Sequence, residues 1–74
     1  RSNKMAHIDQ DWKDHAVEKE GEIVRALRSG TKDPSYRVRM EAIVLLKRMP
    51  DADLAPRAFE AWVAENATRL QRFM

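Results

Sequence analysis

Apolar positions at helical spacing dominate the middle of the chain, from residue 33 to residue 51. On a wheel of about 100° per residue they form two faces. The first face holds Val38, Ala42, Leu45, Leu46 and Met49, and the second holds Tyr36, Met40, Ile43 and Val44. A polar strip about 40° wide holds Arg37, Glu41 and Arg48. Because a helix that is apolar on nearly every side is a buried helix, we predict this helix at the centre of the fold.

A first helix is predicted ahead of the central one, over residues 10–29. Asp9 and Asp11 can cap it, because aspartate accepts hydrogen bonds from the free N–H groups of a first turn. Gly30 is expected to end it in the left-handed conformation. Gly21 lies inside it at a cost of about 1 kcal/mol relative to Ala, which indicates a close backbone approach, a bend or simple tolerance. The apolar stripe of this helix holds Trp12, Ala16, Ile23 and Leu27.

The central helix is predicted over residues 34–49, and a third helix over residues 54–73. The pair Asp33–Pro34 favours a helix start, and Pro50 ends the central helix because proline disfavours the helical conformation before it. Asp53 is the expected cap of the third helix. The apolar set of that helix is Ala55, Ala58, Phe59, Trp62, Val63, Leu70 and Phe73.

Three polar or aromatic residues allow two interpretations each. Asn66 lies within the third apolar stripe, so it is either buried with hydrogen-bond partners or solvated at an exposed helix end. Trp12 and Trp62 are expected in the core, with contact to a partner as the alternative.

Because no strand-like alternation occurs, the predicted fold class is all-α: a three-helix domain made of an antiparallel hairpin and a long C-terminal helix.

The length and composition limit the chain to one small domain. A chain of 74 residues buries only about 60% of its unfolded surface, so an isolated copy is expected to be marginally stable. The absence of cysteine excludes disulfides and thiolate metal sites and fits a cytoplasmic protein. No apolar run approaches the roughly 20 residues that span a bilayer, so no membrane partner is expected. The opening RSNKM resembles a remnant of an expression vector, so residues 1–8 are expected to be disordered and the domain to cover residues 9–74.

Charge is segregated along the chain, although the net charge is only +2. Residues 9–22 hold six acids and two lysines, whereas residues 23–49 hold seven bases and two acids. Either the two segments face each other, within one chain or between chains, which we favour, or the basic segment binds an anionic partner. The candidate patch for DNA or RNA comprises Arg25, Arg28, Lys32, Arg37, Lys47 and Arg48.

Residues 20–51 resemble one HEAT repeat, a hairpin of two helices. The helix EGEIVRALRSG is followed by a short turn and the pattern D-P-x-x-x-V-R-x-x-A-x-x-x-L-x-x-M-P-D. The residues that carry the pattern are Asp33, Pro34, Val38, Arg39, Ala42, Leu46 and Met49. The resemblance implies that Asp33 and Arg39 are structural, a turn acid and an arginine that help to lock successive units together, and that the surface binds a protein. Because such solenoids need about three stacked units, one unit implies either a piece of a longer array or closure by self-association.

The residues offer no recognisable site for catalysis or for a cofactor. Hydroxyl groups fall in turns, tails or helices, where no oriented base accompanies them. We therefore expect a non-enzymatic protein with no cofactor and no small-molecule substrate. His7, Asp11 and His15 are spaced by four and could align on a helix as zinc or nickel ligands. His7 precedes the expected helix start, however, so the histidines are expected to be solvated and no metal site is predicted.

The surplus of apolar surface indicates what the chain does. Two neighbouring helices cover about half to two-thirds of a central helix, so the remainder needs another surface. We expect a protein–protein interaction module, an adaptor or a small inhibitor, that forms a homodimer or joins a larger helical assembly. DNA or RNA binding through residues 25–48 is the alternative. The expected partner interface comprises Tyr36, Met40, Ile43, Val44, Leu70 and Phe73.

Overall fold

Three main helices pack together in the computed structural model, which describes the backbone of residues 2–74 and the side chains of residues 13–74. No strand occurs in that backbone. α1 and α2 form a helical hairpin, and α3 packs against α1. The all-α prediction is therefore confirmed. The prediction that α2 lies at the centre of the fold is wrong, because α1 packs against both α2 and α3 while one side of α2 stays exposed. The helices are α1 (Ser2–Gly30), α2 (Tyr36–Arg48), α3 (Pro56–Glu65) and the short α4 (Ala67–Gln71).

The apolar stripe of α1 forms one wall of the core. Ala16, Ile23 and Leu27 are buried, as the sequence predicts. The helix begins at Ser2, well before the predicted start, because no proline or glycine interrupts the residues ahead of Asp9. Asp9 and Asp11 therefore do not mark the helix start, and part of segment 1–8 belongs to α1. The expected core position of the Trp12 side chain lies outside the described side chains.

The two glycines of α1 have different surroundings. Gly21 is exposed inside the unbroken helix, and a Cβ built there would meet no atom within 4 Å. Neither a close backbone approach nor a break in the helix therefore requires a glycine, and the helix simply tolerates it. Gly30 is buried at the helix end and does not have the positive φ that was predicted. A Cβ at Gly30 would lie 2.6 Å from Cδ1 of Phe73 and 3.1 Å from Cβ of Ala42. Close packing, and not a left-handed stop, therefore requires this glycine.

The turn between α1 and α2 is held by three side chains. The Ser35 hydroxyl accepts a hydrogen bond from the backbone N–H of Val38 (3.4 Å) and caps α2. Asp33, the predicted cap, instead accepts from the backbone N–H of Ser35 (2.8 Å), because Pro34 and Ser35 precede the helix. Arg39 Nη1 donates to the backbone carbonyls of Asp33 (2.8 Å) and Pro34 (2.9 Å). The expected structural roles of Asp33 and Arg39 therefore lie within this single turn.

Asp51, and not the predicted cap Asp53, stabilises the connection between α2 and α3. The Asp51 carboxylate accepts hydrogen bonds from the backbone N–H groups of Asp53 (2.8 Å) and Leu54 (3.0 Å). α3 then begins with Pro56 at its first position, without a side-chain cap. Glu20 of α1 accepts from the backbone N–H of Ala52 (2.9 Å), which fixes this turn against the first helix.

The predicted long C-terminal helix is broken at Asn66. The Asn66 side-chain amide donates to the carbonyl of Trp62 (2.8 Å), and its backbone angles of φ −109° and ψ 16° leave the helical region. Asparagine favours such local bonds over a continuous helix. The sequence left open whether Asn66 is buried with hydrogen-bond partners or solvated at an exposed helix end. In the structure the residue is half-buried, and its side-chain amide finds a hydrogen-bond partner within its own chain.

The residues that follow Asn66 cover one end of the core. Leu70 of α4 is 4% exposed, and Phe73 packs against the core beside Gly30. Trp62 is half-buried and stacks on the buried ring of Phe59, with ring centroids 6.5 Å apart. The expected core position of Trp62 is therefore confirmed, and the C-terminal segment acts as a lid on the α1–α2 hairpin.

Candidate docking surface on α2

Apolar side chains lie on the outer side of α2. Tyr36 is 69% exposed, Met40 39% and Val44 37%, and a spacing of four places them along one line of the helix. We call Tyr36, Met40 and Val44 the α2 ridge. Ile43, also expected at a partner interface, is half-buried at its border. The structure therefore keeps four of the predicted interface residues together.

The ridge is exposed because α2 has more apolar surface than its neighbours cover. Ala42 and Leu45 are buried against α1 and α3, and Leu46 and Met49 pack partly against the same core. Met40 lies about 170° around the helix from their mean direction. Four residues of the face that the sequence predicts as core therefore pack against the core, whereas the ridge, which belongs to the second apolar face, lies in solvent.

Leu70 and Phe73, the other two expected interface residues, do not belong to this surface. Leu70 is buried in the core, and the Phe73 ring lies near Gly30. The sequence placed them at the exposed C-terminal end of the third helix. The structure instead packs both of them against the core. The prediction that these two residues belong to a partner interface is therefore wrong.

Three of the six basic residues border the ridge. Arg37 and Lys47 lie three residues from Met40 and Val44, respectively, and Arg48 lies four residues from Val44, so each is a helical neighbour of the ridge. The other three lie elsewhere: Arg25 and Arg28 on α1, and Lys32 in the turn. All six are exposed. The single patch that the sequence suggested is thus divided, and its α2 half surrounds apolar side chains.

A depression of about 350 Å³ continues the surface toward α3 and α4. Val44 and Arg48 form one side of it, and Trp62, Asn66 and Arg69 lie on the other. Sequence reasoning missed Arg69 as a surface neighbour of Arg48. Only the fold brings the two arginines to one depression, because they belong to different helices. The sole sequence signal was Asn66, whose position within an apolar stripe marked an irregularity.

In both the acidic and the basic segment, side chains of the less frequent charge form ion pairs. Lys13 pairs with Asp53 (3.6 Å), Lys19 with Glu60 (3.8 Å) and Glu41 with Arg72 (3.3 Å). Within the chain, these pairs do not join the acidic segment to the basic one. They tie both segments to residues 51–74 instead, and they leave the excess of acids on α1 and of bases on α2 exposed.

The Tyr36 ring is held at one end of the ridge. The Arg39 guanidinium lies 5.7 Å from its centroid, within the range of a cation–π contact. The same guanidinium donates to two turn carbonyls, so its position is fixed by the backbone. The ring therefore stands on a rigid support, which lowers the entropy that a partner would have to remove.

The described residues offer no metal-binding group of three or more histidine, cysteine, aspartate or glutamate side chains. His7 and Asp11, considered as ligands with His15, lie outside the described side chains. Across the helices searched in the described chain, none combines the length and apolar content needed to cross a membrane. Comparisons with family models, with curated proteins and with solved structures find no match for this chain.

Proposed function

We propose that this chain is a non-enzymatic protein-interaction module that self-associates through the α2 ridge. The observation that carries the proposal is the exposure of Tyr36, Met40 and Val44 along one line of a rigid helix. Apolar surface of this kind is stabilised when a partner removes it from water, at about 25 cal/mol per Å². A marginal core in a chain of this length gives self-association a second benefit, because a bound partner stabilises the folded state.

The hairpin supports a kinship to HEAT repeats as part of the same proposal. Arg39 donates to the carbonyls of Asp33 and Pro34, which gives the arginine of the pattern a structural role. Stacked helical hairpins bury their outer faces against neighbouring units. An exposed apolar line on the second helix of the hairpin is what a stacking or adaptor surface needs.

The test measures the mass of the chain in solution over a wide range of concentration. We expect the mass to rise above the 8.6 kDa of one chain. Met40→Glu should raise the dissociation constant by about tenfold or more, because a charge at the centre of an interface is desolvated. Leu54→Glu is the matched control, since Leu54 is 82% exposed in the turn before α3 and away from the ridge. A wild-type chain that stays monomeric at every concentration would refute the proposal.

Nucleic-acid binding is a second candidate function, because the six basic residues of the candidate patch are all exposed. Phosphate contacts predict that log K falls by about 0.9 per log unit of salt for each neutralised phosphate. Arg25→Glu combined with Arg37→Glu should then reduce both affinity and slope. Weak binding without a salt slope, unchanged in that variant, argues against this function.

A further inference from the structure

The bases around the α2 ridge restrict what can cover it. Arg37 and Lys47 border the ridge and are exposed, while Glu41, the acid of α2, is half-buried and paired with Arg72. Two copies that met ridge to ridge would bring like charges together, which is unfavourable. The surface that covers the ridge must therefore carry acids.

The same chain presents acids on the outer side of α1. Asp14, Glu18 and Glu22 are spaced by four, lie on one line of the helix and are exposed. We call these three residues the acidic flank. Glu18 lies about 160° around the helix from the mean direction of the buried residues Ala16, Ile23 and Leu27. Glu18 and Glu22, four residues apart, repel each other within the helix, so a cationic surface laid against the flank would relieve that repulsion.

The acidic flank also has room for an apolar side chain. Gly21 lies between Glu18 and Glu22 in the sequence and is exposed, and a Cβ built there would meet nothing within 4 Å. The helix backbone is therefore bare at this point. Met40, in the middle of the ridge, has a long, flexible side chain that adapts to irregular surfaces. A helix that carries the ridge can approach α1 closely at Gly21 with its bases opposite the flank.

We propose that self-association is heterologous: the acidic flank of one copy binds the α2 ridge of a second copy. The inference rests on the proposed function, and it names the partner surface. The two surfaces lie on different helices and both point away from the shared core, so each contact uses one surface from each copy. Such contacts either close into a ring or continue as an open assembly. Each copy in such an assembly presents both surfaces.

Charge reversal tests the pairing of the two surfaces. Glu18→Lys with Glu22→Lys changes the flank, and Arg37→Glu with Lys47→Glu changes the ridge border. Each double variant should raise the dissociation constant by about tenfold or more, since reversal turns attraction between the exposed charges into repulsion. The chain with all four replacements should associate like the wild type, because its charges are complementary again.

The controls separate this pairing from a general effect of charge. Arg57→Glu reverses an exposed charge on α3 and should leave association unchanged. Far-ultraviolet circular dichroism should give the same helix content for every variant, because every replaced side chain is exposed. Raising the salt from roughly 0.05 to 0.5 M should weaken the wild type and the fourfold variant alike, since exposed charges are screened.

The outcomes distinguish the two proposals. A fourfold variant that stays as weak as the double variants overturns the heterologous pairing. So does a flank variant that associates like the wild type while Met40→Glu does not, and in that case the proposed function stands. A wild-type chain that never associates refutes self-association itself and the pairing with it.

Discussion

The two glycines of α1 allow one replacement to be tested in two environments. At Gly21 a Cβ would meet no atom within 4 Å. Gly21→Ala should therefore stabilise the fold by about 1 kcal/mol, the difference in helix propensity between the two residues. Gly30 lies at the other end of the same helix under the Phe73 ring, where the same replacement should act in the opposite direction.

The magnitude at Gly30 follows from the distances. A Cβ there would lie 2.6 Å from Cδ1 and Cε1 of Phe73 and 3.1 Å from Cβ of Ala42, whereas carbon atoms in contact are separated by about 3.5–4.0 Å. An overlap of about 1 Å forces the ring out of its position. Overpacking of this kind costs about 1–3 kcal/mol, so the two alanine variants should differ by about 2–4 kcal/mol.

The assay is urea unfolding followed by circular dichroism, with thermal unfolding as a check. A difference of 1 kcal/mol shifts the midpoint of a domain this size by about 4–8 °C. All variants are compared at one low concentration, because self-association raises apparent stability. Phe73→Ala should remove the penalty of Gly30→Ala, which a double-mutant cycle measures as coupling. Equal stability of the two alanine variants would refute the placement of the C-terminal segment over α1.

Two further predictions concern α2. Leu45→Ala should cost about 2–5 kcal/mol of unfolding free energy, because Leu45 is buried, whereas Val44→Ala should change it by no more than about 0.5 kcal/mol in the monomer; similar losses in urea unfolding would place the core on the wrong face. Arg39→Lys should destabilise the turn by about 1–3 kcal/mol, since the two carbonyls of Asp33 and Pro34 lose a forked donor. Ser35→Ala removes the cap of α2 and provides the comparison, with an expected loss of about 1 kcal/mol of unfolding free energy. An Arg39→Lys variant as stable as the wild type would show that the turn does not depend on the arginine.

The sequence predicted the helices and the face of α2 that enters the core. Ala42 and Leu45 are buried where the wheel placed them, and Ala16, Ile23 and Leu27 form the facing wall. Helical periodicity is a local property, so it can be read without the fold. Boundaries were less predictable. Ser35 caps α2 although Asp33 stands two residues earlier, because several nearby oxygens compete for the same N–H groups.

The candidate surface was predicted in part. The sequence named Tyr36, Met40, Ile43 and Val44 together, and they remain together on the outer side of α2. It grouped six bases into one patch, but helix geometry divides them between α1, the turn and α2. The depression that unites Arg48 with Arg69 depends on the crossing of two helices, which a single sequence does not encode locally.

The sequence alone predicted that α2 has more apolar surface than its neighbours hide. Which apolar residues stay exposed depended on how the helices pack. Leu70 and Phe73 pack against the core although the straight rod that periodicity predicted is broken at Asn66, whose side chain bonds to the backbone of its own helix. An apolar stripe has the same pattern whether it faces a core or a partner, and burial depends on which helix lies across it.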